Sequence, residues 1–145
     1  MHWLTRMTIP LFGLALLPGL CHALTVASTM QVLSPLGQPL HGKVMLSELG
    51  DLTADDIKAY LGSDNDFKQA GLSGNIYYPG DLKFKVVVND SDSYIDISTT
   101  RPVNEPTLDF VLHVAWPHND RLNEITVILD PPAPGSKSPS DSTAK

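Results

Sequence analysis

Apolar and polar side chains alternate along much of this chain, most clearly near its C-terminal end. Two runs rich in β-branched and large apolar residues, Leu108–Trp116 and Ile125–Leu129, flank a polar turn at Pro117–Arg121. The sequence Asp130-Pro131-Pro132 ends the second run, because proline has no amide to donate to a strand ladder. This pattern predicts a β-hairpin that closes a domain.

The same two-residue period, typical of half-buried strands, recurs earlier in the chain. Thr100–Pro106 breaks the period with prolines, which predicts an extended crossover or an edge segment rather than a central strand. The segments that alternate are Leu24–Leu36, which predicts one or two short strands, and Leu40–Leu49, Leu82–Val88 and Tyr94–Ser98.

Between these strands the sequence predicts a small helical insertion. Thr53 resembles a helix cap, and the spacing predicts a helix that runs from it through Ile57 and Leu61 and stops at Gly62. A second, shorter helix is predicted over residues 64–70, ended by the following glycine. Strands that recur at intervals of roughly 8–12 residues predict a mostly-β fold, an antiparallel Ig-like β-sandwich of about seven strands.

Residues 1–23 have the layout of a secretory signal peptide. One positive charge precedes the apolar run Met7–Leu20, and small residues lie before a cut between Ala23 and Leu24. The run is about 14 residues long, short of the roughly 20 that a membrane-spanning helix needs. The alternatives are a lipidated Cys21 and an uncleaved anchor. We favour export with cleavage, which predicts a periplasmic protein with no stable membrane insertion.

Composition narrows the classes of partner. The 145 residues include ten basic and sixteen acidic side chains, a net charge of −6, and cleavage would remove one basic residue and the single cysteine. Without a disulfide, the domain predicted over residues 24–132 depends on a packed core. The acidic balance argues against nucleic acid as a partner, and the scattered basic residues predict no cationic patch. Apart from two prolines, residues 133–145 contain no apolar side chain larger than alanine, which predicts a disordered tail.

Candidate catalytic and metal-binding residues are few. Asp64-Asn65-Asp66 begins like a calcium loop but lacks the glycine and the closing glutamate of an EF-hand. No G-x-S-x-G nucleophile pattern occurs. We therefore expect no enzyme activity, no cofactor and no metal. His113 has the opposite parity to its apolar neighbours, which predicts a position at the surface or at a sheet edge. The histidines that would remain after cleavage are His41, His113 and His118.

Short motifs occur in a fixed order along the chain: Ser34–Leu40 (SPLGQPL), Asp64–Gly71 (DNDFKQAG), Tyr78–Val87, Arg101–Pro106 with Phe110, and Trp116–Pro132 with its Trp-Pro, Arg-Leu and Leu-Asp-Pro-Pro pieces. Each motif alone is weak, but the ordered series is specific. The series resembles the N-terminal periplasmic domain of the FimV family of bacterial pilus-assembly and polar-organising proteins. The resemblance implies partners among envelope or pilus-assembly proteins.

The chain also departs from that family. Full-length members continue into a peptidoglycan-binding LysM module, a membrane-spanning helix and a cytoplasmic region, and nothing after Pro132 resembles these. The resemblance therefore does not imply peptidoglycan binding here. His118-Asn119-Asp120 stands where the family has a tight turn with glycine, so we expect a longer or differently shaped loop.

Six residues are candidates for contact with a partner. Tyr77 and Tyr78 belong to an aromatic turn that we expect to be exposed. Arg101 and Glu105 flank prolines, and three interpretations stay open for them: an ion pair, hydrogen bonds to unpaired carbonyls, or partner contact. Trp116 is either a core-rim aromatic, which we favour, or an interface anchor. The set is Tyr77, Tyr78, Arg101, Glu105, Trp116 and Arg121.

Two functional classes fit these features. We favour a non-enzymatic periplasmic protein-interaction module that supports type IV pilus or other cell-envelope machinery, with docking through edge strands and aromatic loops. The alternative is a periplasmic chaperone-like or solute-binding envelope domain. Pilus or secretion genes beside the gene would favour the first class, and fimbrial subunit genes would favour the second.

Overall fold

The part of the chain that the structure describes contains seven strands, all paired antiparallel, in two sheets. The computed structural model describes residues 23–72 and 78–135. One sheet has the strand order β1-β2-β5-β4 and the other β3-β6-β7, which confirms the predicted antiparallel sandwich. The elements are β1 (Thr25–Val32), β2 (Pro39–Ser47), β3 (Lys58–Leu61), α1 (Asp64–Gln69), β4 (Lys83–Val87), β5 (Ser93–Pro102), β6 (Thr107–Trp116) and β7 (Asn119–Ile128).

The inner faces of the two sheets share one hydrophobic core. Alternate residues point inward along most of the strands, and in β2 the buried apolar residues are Leu40, Val44 and Leu46, as the alternation of that segment predicts. Strand β6 crosses the centre of the second sheet, and several of its side chains are fully buried. The residues with no exposed surface include Leu40, Val44, Ile95, Ile97, Leu108, Phe110, Leu112, Val114 and Ile125.

The helix predicted from Thr53 to Gly62 is not formed. The Asp56 carboxylate accepts hydrogen bonds from the Thr53 amide (2.9 Å) and hydroxyl (2.7 Å), and these bonds close a turn. The chain then enters β3, which pairs with β6 from Lys58 to Leu61. Residues four apart share a face of a strand as well as of a helix, so the spacing of the apolar residues suits both structures. Pairing with the buried strand β6 decides in favour of the strand.

The second predicted helix is confirmed as α1. Its N-terminus has a capping box, in which the Ser63 hydroxyl accepts from the Asp66 amide (3.3 Å) and the Asp66 carboxylate accepts from the Ser63 amide (2.7 Å). Gly71 follows the helix with a φ of 76°, the left-handed conformation typical of a helix end. Phe67 anchors the helix in the core.

The connection between β6 and β7 is a tight turn. Trp116 pairs with Asn119, so only Pro117 and His118 lie between the strands. The expectation of a longer loop is therefore wrong. His118 has a φ of 66°, so it adopts the left-handed conformation that glycine adopts more easily.

The segment predicted as a crossover divides in two. Strand β5 extends to Pro102, which pairs with Pro39 of β2, and only residues 103–106 of the predicted segment lie between β5 and β6, which belong to different sheets. The β2–β5 register shifts just after Pro39. There the buried Thr99 hydroxyl accepts a hydrogen bond from the Leu40 amide (2.9 Å), which satisfies a donor that the shifted ladder leaves free.

Asp81 joins the segment before β4 to the end of β5. Its Oδ2 accepts hydrogen bonds from the Thr100 hydroxyl (2.7 Å), the Thr100 amide (2.9 Å) and the Arg101 amide (3.0 Å). The bond from the Thr100 hydroxyl, followed by those from the two amides, holds the pKa of the Asp81 carboxyl well below its usual range.

Some predictions concern segments outside the described residues. These are the signal peptide apart from Ala23, the tail apart from residues 133–135, and Tyr77. Among the helices of the described ranges, none combines the length and the hydropathy that a membrane crossing requires.

Gly42 lies where β1 crowds against β2. The β1–β2 register shifts between Val26 and Met30. A Cβ atom at position 42 would clash with the Met30 side chain and would lie 2.7 Å from the Gln31 carbonyl oxygen. The backbone oxygen cannot move without disturbing the ladder, so the position requires glycine.

We expect Gly42→Ala to lower the free energy of unfolding by about 1–3 kcal/mol, the usual cost of overpacking a core. Gly80→Ala is the matched control, because a Cβ there would meet nothing within 4 Å. That variant should be unchanged or slightly more stable, since alanine restricts the unfolded chain. Urea denaturation of both proteins measures the difference, and equal stabilities would contradict the role of Gly42.

We also expect a pH-dependent effect of Asp81→Asn. A carboxyl whose pKa is lower in the folded state than in the unfolded chain stabilises the fold above its unfolded pKa. That contribution is lost as the pH falls through the folded pKa. The variant should therefore be less stable than the wild type at pH 7. The difference in the free energy of unfolding should become smaller below about pH 4, the ordinary pKa of an aspartate side chain.

Urea midpoints measured from pH 7 to pH 3 test this expectation. Asp90→Asn removes an exposed carboxylate from the β4–β5 loop and controls for the loss of one negative charge. If the urea midpoints of both variants differed from that of the wild type by the same amount at every pH, the hydrogen bonds to Asp81 would not stabilise the fold.

Candidate functional site

The aromatic turn is only partly available for contact. Tyr78 is half-buried, and its ring stacks on Phe67 of α1 with a centroid separation of 5.2 Å. The ring therefore packs against the core rather than extending freely into solvent. The neighbouring Tyr77 lies outside the described residues.

Arg101 lies beside Tyr78. The Arg101 side chain is 73% exposed, and its Nε is 3.6 Å from Oδ2 of Asp81. Together with Tyr78 it lines a shallow cavity of about 260 Å³. The structure thus brings two of the candidate residues together. Their cavity is small for a ligand, since small-molecule sites usually have about 300 Å³ or more.

Glu105 lies apart from Arg101. It is exposed in the crossover between the sheets, and within residues 23–72 and 78–135 the ion pair of Arg101 is with Asp81. The carbonyl of Arg101 accepts a hydrogen bond from the Thr99 hydroxyl (2.8 Å). Of the three interpretations of Arg101 and Glu105, the ion pair between them is not formed.

Trp116 and Arg121 lie on the β6–β7 hairpin. Trp116 is partly buried and packs against the core, as a core-rim residue does. Its indole nitrogen is buried and has no hydrogen-bond partner in the described part of the chain. Arg121 is exposed on β7, opposite Val114. The hairpin therefore offers one exposed cation beside a largely buried aromatic ring.

His113 lies on the outer side of the second sheet, as its parity predicts, but it is not free. Its side chain is 16% exposed, with Nε2 2.9 Å from Asp120 and Nδ1 3.4 Å from Asp66. Tyr60 packs on the ring at a centroid separation of 4.6 Å. The hydroxyl of Ser63 bonds to Asp66 and not to His113. A catalytic triad needs the hydroxyl on the histidine, so these residues do not form one.

The other features of the described ranges do not indicate a catalytic or metal-binding site. No group of three or more histidine, cysteine, aspartate or glutamate side chains there is arranged to hold a metal ion. An open cleft of about 580 Å³ lies between the loop after β2 and the loop between β4 and β5. Loop residues make up most of its lining, and its carboxylates are those of Glu48, Asp51, Asp90 and Asp92.

The outer side of the first sheet carries basic residues that are distant in sequence. Strand β5 lies between β2 and β4, and the register places Lys43 and Lys85 on either side of Asp96. The next row consists of His41, Ser98 and Lys83. We call this surface, with the adjacent apolar row of Met45, Tyr94 and Val87, the lysine face. The expectation that the basic residues form no patch is therefore wrong.

The apolar row is also exposed to solvent. Met45, 38% exposed, is opposite Tyr94, which is opposite Val87 of β4. Tyr94 and Val87 are half-buried. The two-residue period of β2 and β4 already predicts that their lysines point outward. Only the pairing of both strands with β5 shows that these lysines share one surface.

Comparisons with known proteins identify the family. Residues 27–132 match the family described as the FimV N-terminal domain Ig-like domain. Two curated relatives, both named motility hub protein FimV and both from strains of Pseudomonas aeruginosa, are 38% identical to this chain over 115 residues. The alignment covers 79% of this chain and 12% of each relative. No solved structure shows a significant match. The chain belongs to the FimV N-terminal domain family.

Proposed function

We propose that this protein is a non-enzymatic periplasmic protein-interaction domain that supports type IV pilus or related envelope machinery. The relatives are named motility hub proteins, and this chain matches 12% of their length. A hub contacts several proteins, and an Ig-like domain of this kind is suited to one such contact. The proposed export depends on the signal-peptide pattern of residues 1–23.

The lysine face is the observation that carries the proposal. It combines an exposed methionine, a half-buried tyrosine and three lysines on one sheet surface. Protein interfaces are enriched in aromatic and methionine side chains at their centre and have a polar rim. The face has both parts, and its apolar row lies directly beside its charged rows.

We propose docking through a sheet face in preference to the edge-strand mode predicted from the sequence. The Asn123 amide donates to the carbonyls of Val26 (3.2 Å) and Ala27 (3.3 Å), so part of the β1 edge is covered. The edge strands β4 and β3 are five and four residues long. These three edges offer few backbone groups to an added strand, whereas the fourth edge strand, β7, is ten residues long.

Export of the protein can be tested by measuring the mass of the mature chain. We expect the protein in the periplasmic fraction of its host to begin at Leu24, because small residues precede that position as signal peptidase requires. Intact-mass measurement of protein recovered from osmotic-shock fluid gives the N-terminus. Full-length protein confined to the cytosol would contradict the proposed location.

Contact through the lysine face is testable by position-specific crosslinking. A photoreactive amino acid at Met45 or Val87 should crosslink an envelope protein in living cells, and mass spectrometry identifies it. Thr107, exposed on the other sheet, is the control position. Met45→Glu should reduce the crosslink from Val87 about tenfold or more, since burying a side chain of this size contributes about 1.5–3 kcal/mol. Equal crosslinking from all three positions would contradict the proposal.

Motility supplies the biological readout. Deletion of the gene should reduce surface motility, and the wild-type gene should restore it while the Met45→Glu gene does not. Thr107→Glu adds the same charge on the opposite sheet and should restore motility. Normal motility in the deletion strain would contradict the link to the pilus machinery.

A further inference from the structure

The charged rows of the lysine face are unbalanced. Asp96 lies between Lys43 and Lys85, but its Oδ1 is 2.8 Å from Nε2 of His41. In the described part of the chain, none of the three lysine ammonium groups has a carboxylate within 4 Å. The Lys43 ammonium group instead lies 4.1 Å from the centre of the Tyr94 ring. Three cations therefore share one surface with one carboxylate that already has a partner.

This concentration of positive charge contrasts with the whole chain, whose net charge is −6. Like charges that lie close together on a surface repel one another and attract an opposite charge. The lysines therefore favour a negatively charged partner. On the lysine face such a partner meets lysine side chains and a partly exposed apolar row together.

The spacing of the face matches an extended polypeptide. Along β4 the outward residues are Lys83, Lys85 and Val87, at intervals of about 7 Å because alternate residues of a strand are separated by two rises of about 3.3 Å. Acidic side chains two positions apart in an extended segment have the same spacing. An apolar side chain two positions further along would reach the row that contains Val87.

We propose that the lysine face binds an extended acidic segment of another protein. That segment has two carboxylates two positions apart and a large apolar side chain two positions after the second carboxylate. This inference rests on the proposed function and names the chemistry of the partner. The carboxylates pair with Lys83 and Lys85, and the apolar side chain packs against Tyr94 and Val87. Lys43, on the other side of β5, adds attraction along the same segment.

Other anionic partners fit the face less well. Membrane surfaces attract clusters of roughly four to eight basic residues, at about 1 kcal/mol for each, and this face has three lysines. An anionic bilayer would also repel the rest of an acidic chain. A lipid surface leaves the apolar row unexplained, because the row lies flat within a sheet and does not project from it.

The experiment uses the full chain and a defined set of probes. The probes are immobilised 12-residue peptides that tile the periplasmic proteins of the host, vesicles with roughly a third anionic lipid, and the protein itself in sedimentation. We expect the peptides retained to carry acidic residues two apart followed by an apolar residue. Binding should weaken as salt rises, because the Debye length is about 10 Å at 0.1 M and about 3 Å at 1 M.

Variants locate the contact. Replacing both Lys83 and Lys85 by glutamate should weaken binding of the best peptide at least tenfold. The double glutamine variant, which only removes the charges, should have a smaller effect in the same direction. Lys58→Glu with Lys68→Glu makes the same change of charge on β3 and α1 and should leave binding within twofold. Urea midpoints show whether each variant is folded.

Several results would overturn the inference. They are retention of peptides without regard to carboxylates, binding to anionic vesicles in place of acidic peptides, and self-association that needs the same lysines. If crosslinks from Met45 and Val87 persist while acidic peptides are not preferred, the interaction function stands and the inference about partner chemistry fails. If these crosslinks are absent as well, both the proposed function and the inference about partner chemistry fail.

Discussion

Side chains of a β-strand alternate between its two faces, so burial of one set of residues determines which residues face the solvent. In β2 the buried Leu40, Val44 and Leu46 force the intervening lysine and methionine outward. Pairing of β2 and β4 with β5 then places their outward residues in common rows. A shift of the register by one residue would bring lysines into the core. The packing that stabilises the sandwich therefore also maintains the lysine face.

The described residues contain hydrogen-bonded networks, but these mainly stabilise the structure. The carboxylates of Asp56, Asp66 and Asp81 close a turn, cap a helix and fasten a loop, and the pKa of each is lowered by the donors that surround it. His113 lies between two carboxylates under α1. The lysine face differs from these groups because, among the described residues, no carboxylate lies within 4 Å of any of its lysine ammonium groups. This difference is why a surface, and not a polar cluster, supports the proposed function.

Local patterns predicted most of the strands and α1, because alternation and helix caps depend on residues close together in sequence. The helix predicted from Thr53 was wrong because Ile57 and Leu61 share a face in both a helix and a strand. Competition with the β6 partner resolved that ambiguity. The β6–β7 turn was also misjudged, since His118 accepts a left-handed conformation without being glycine. Among the candidate contact residues, Tyr78 and Arg101 share one cavity, whereas Trp116 lies on the hairpin.

The sequence by itself determined that this chain forms an antiparallel sandwich and that it resembles the FimV N-terminal domain, because periodicity and ordered motifs are properties of the linear chain. Only the tertiary structure decided that Lys43 shares a surface with Lys83 and Lys85, and that the chain from Lys58 to Leu61 is a strand rather than a helix. These outcomes depend on which distant strands pair and in what register. Pairing between distant segments is chosen by the packing of the whole core, and a local pattern does not contain that information.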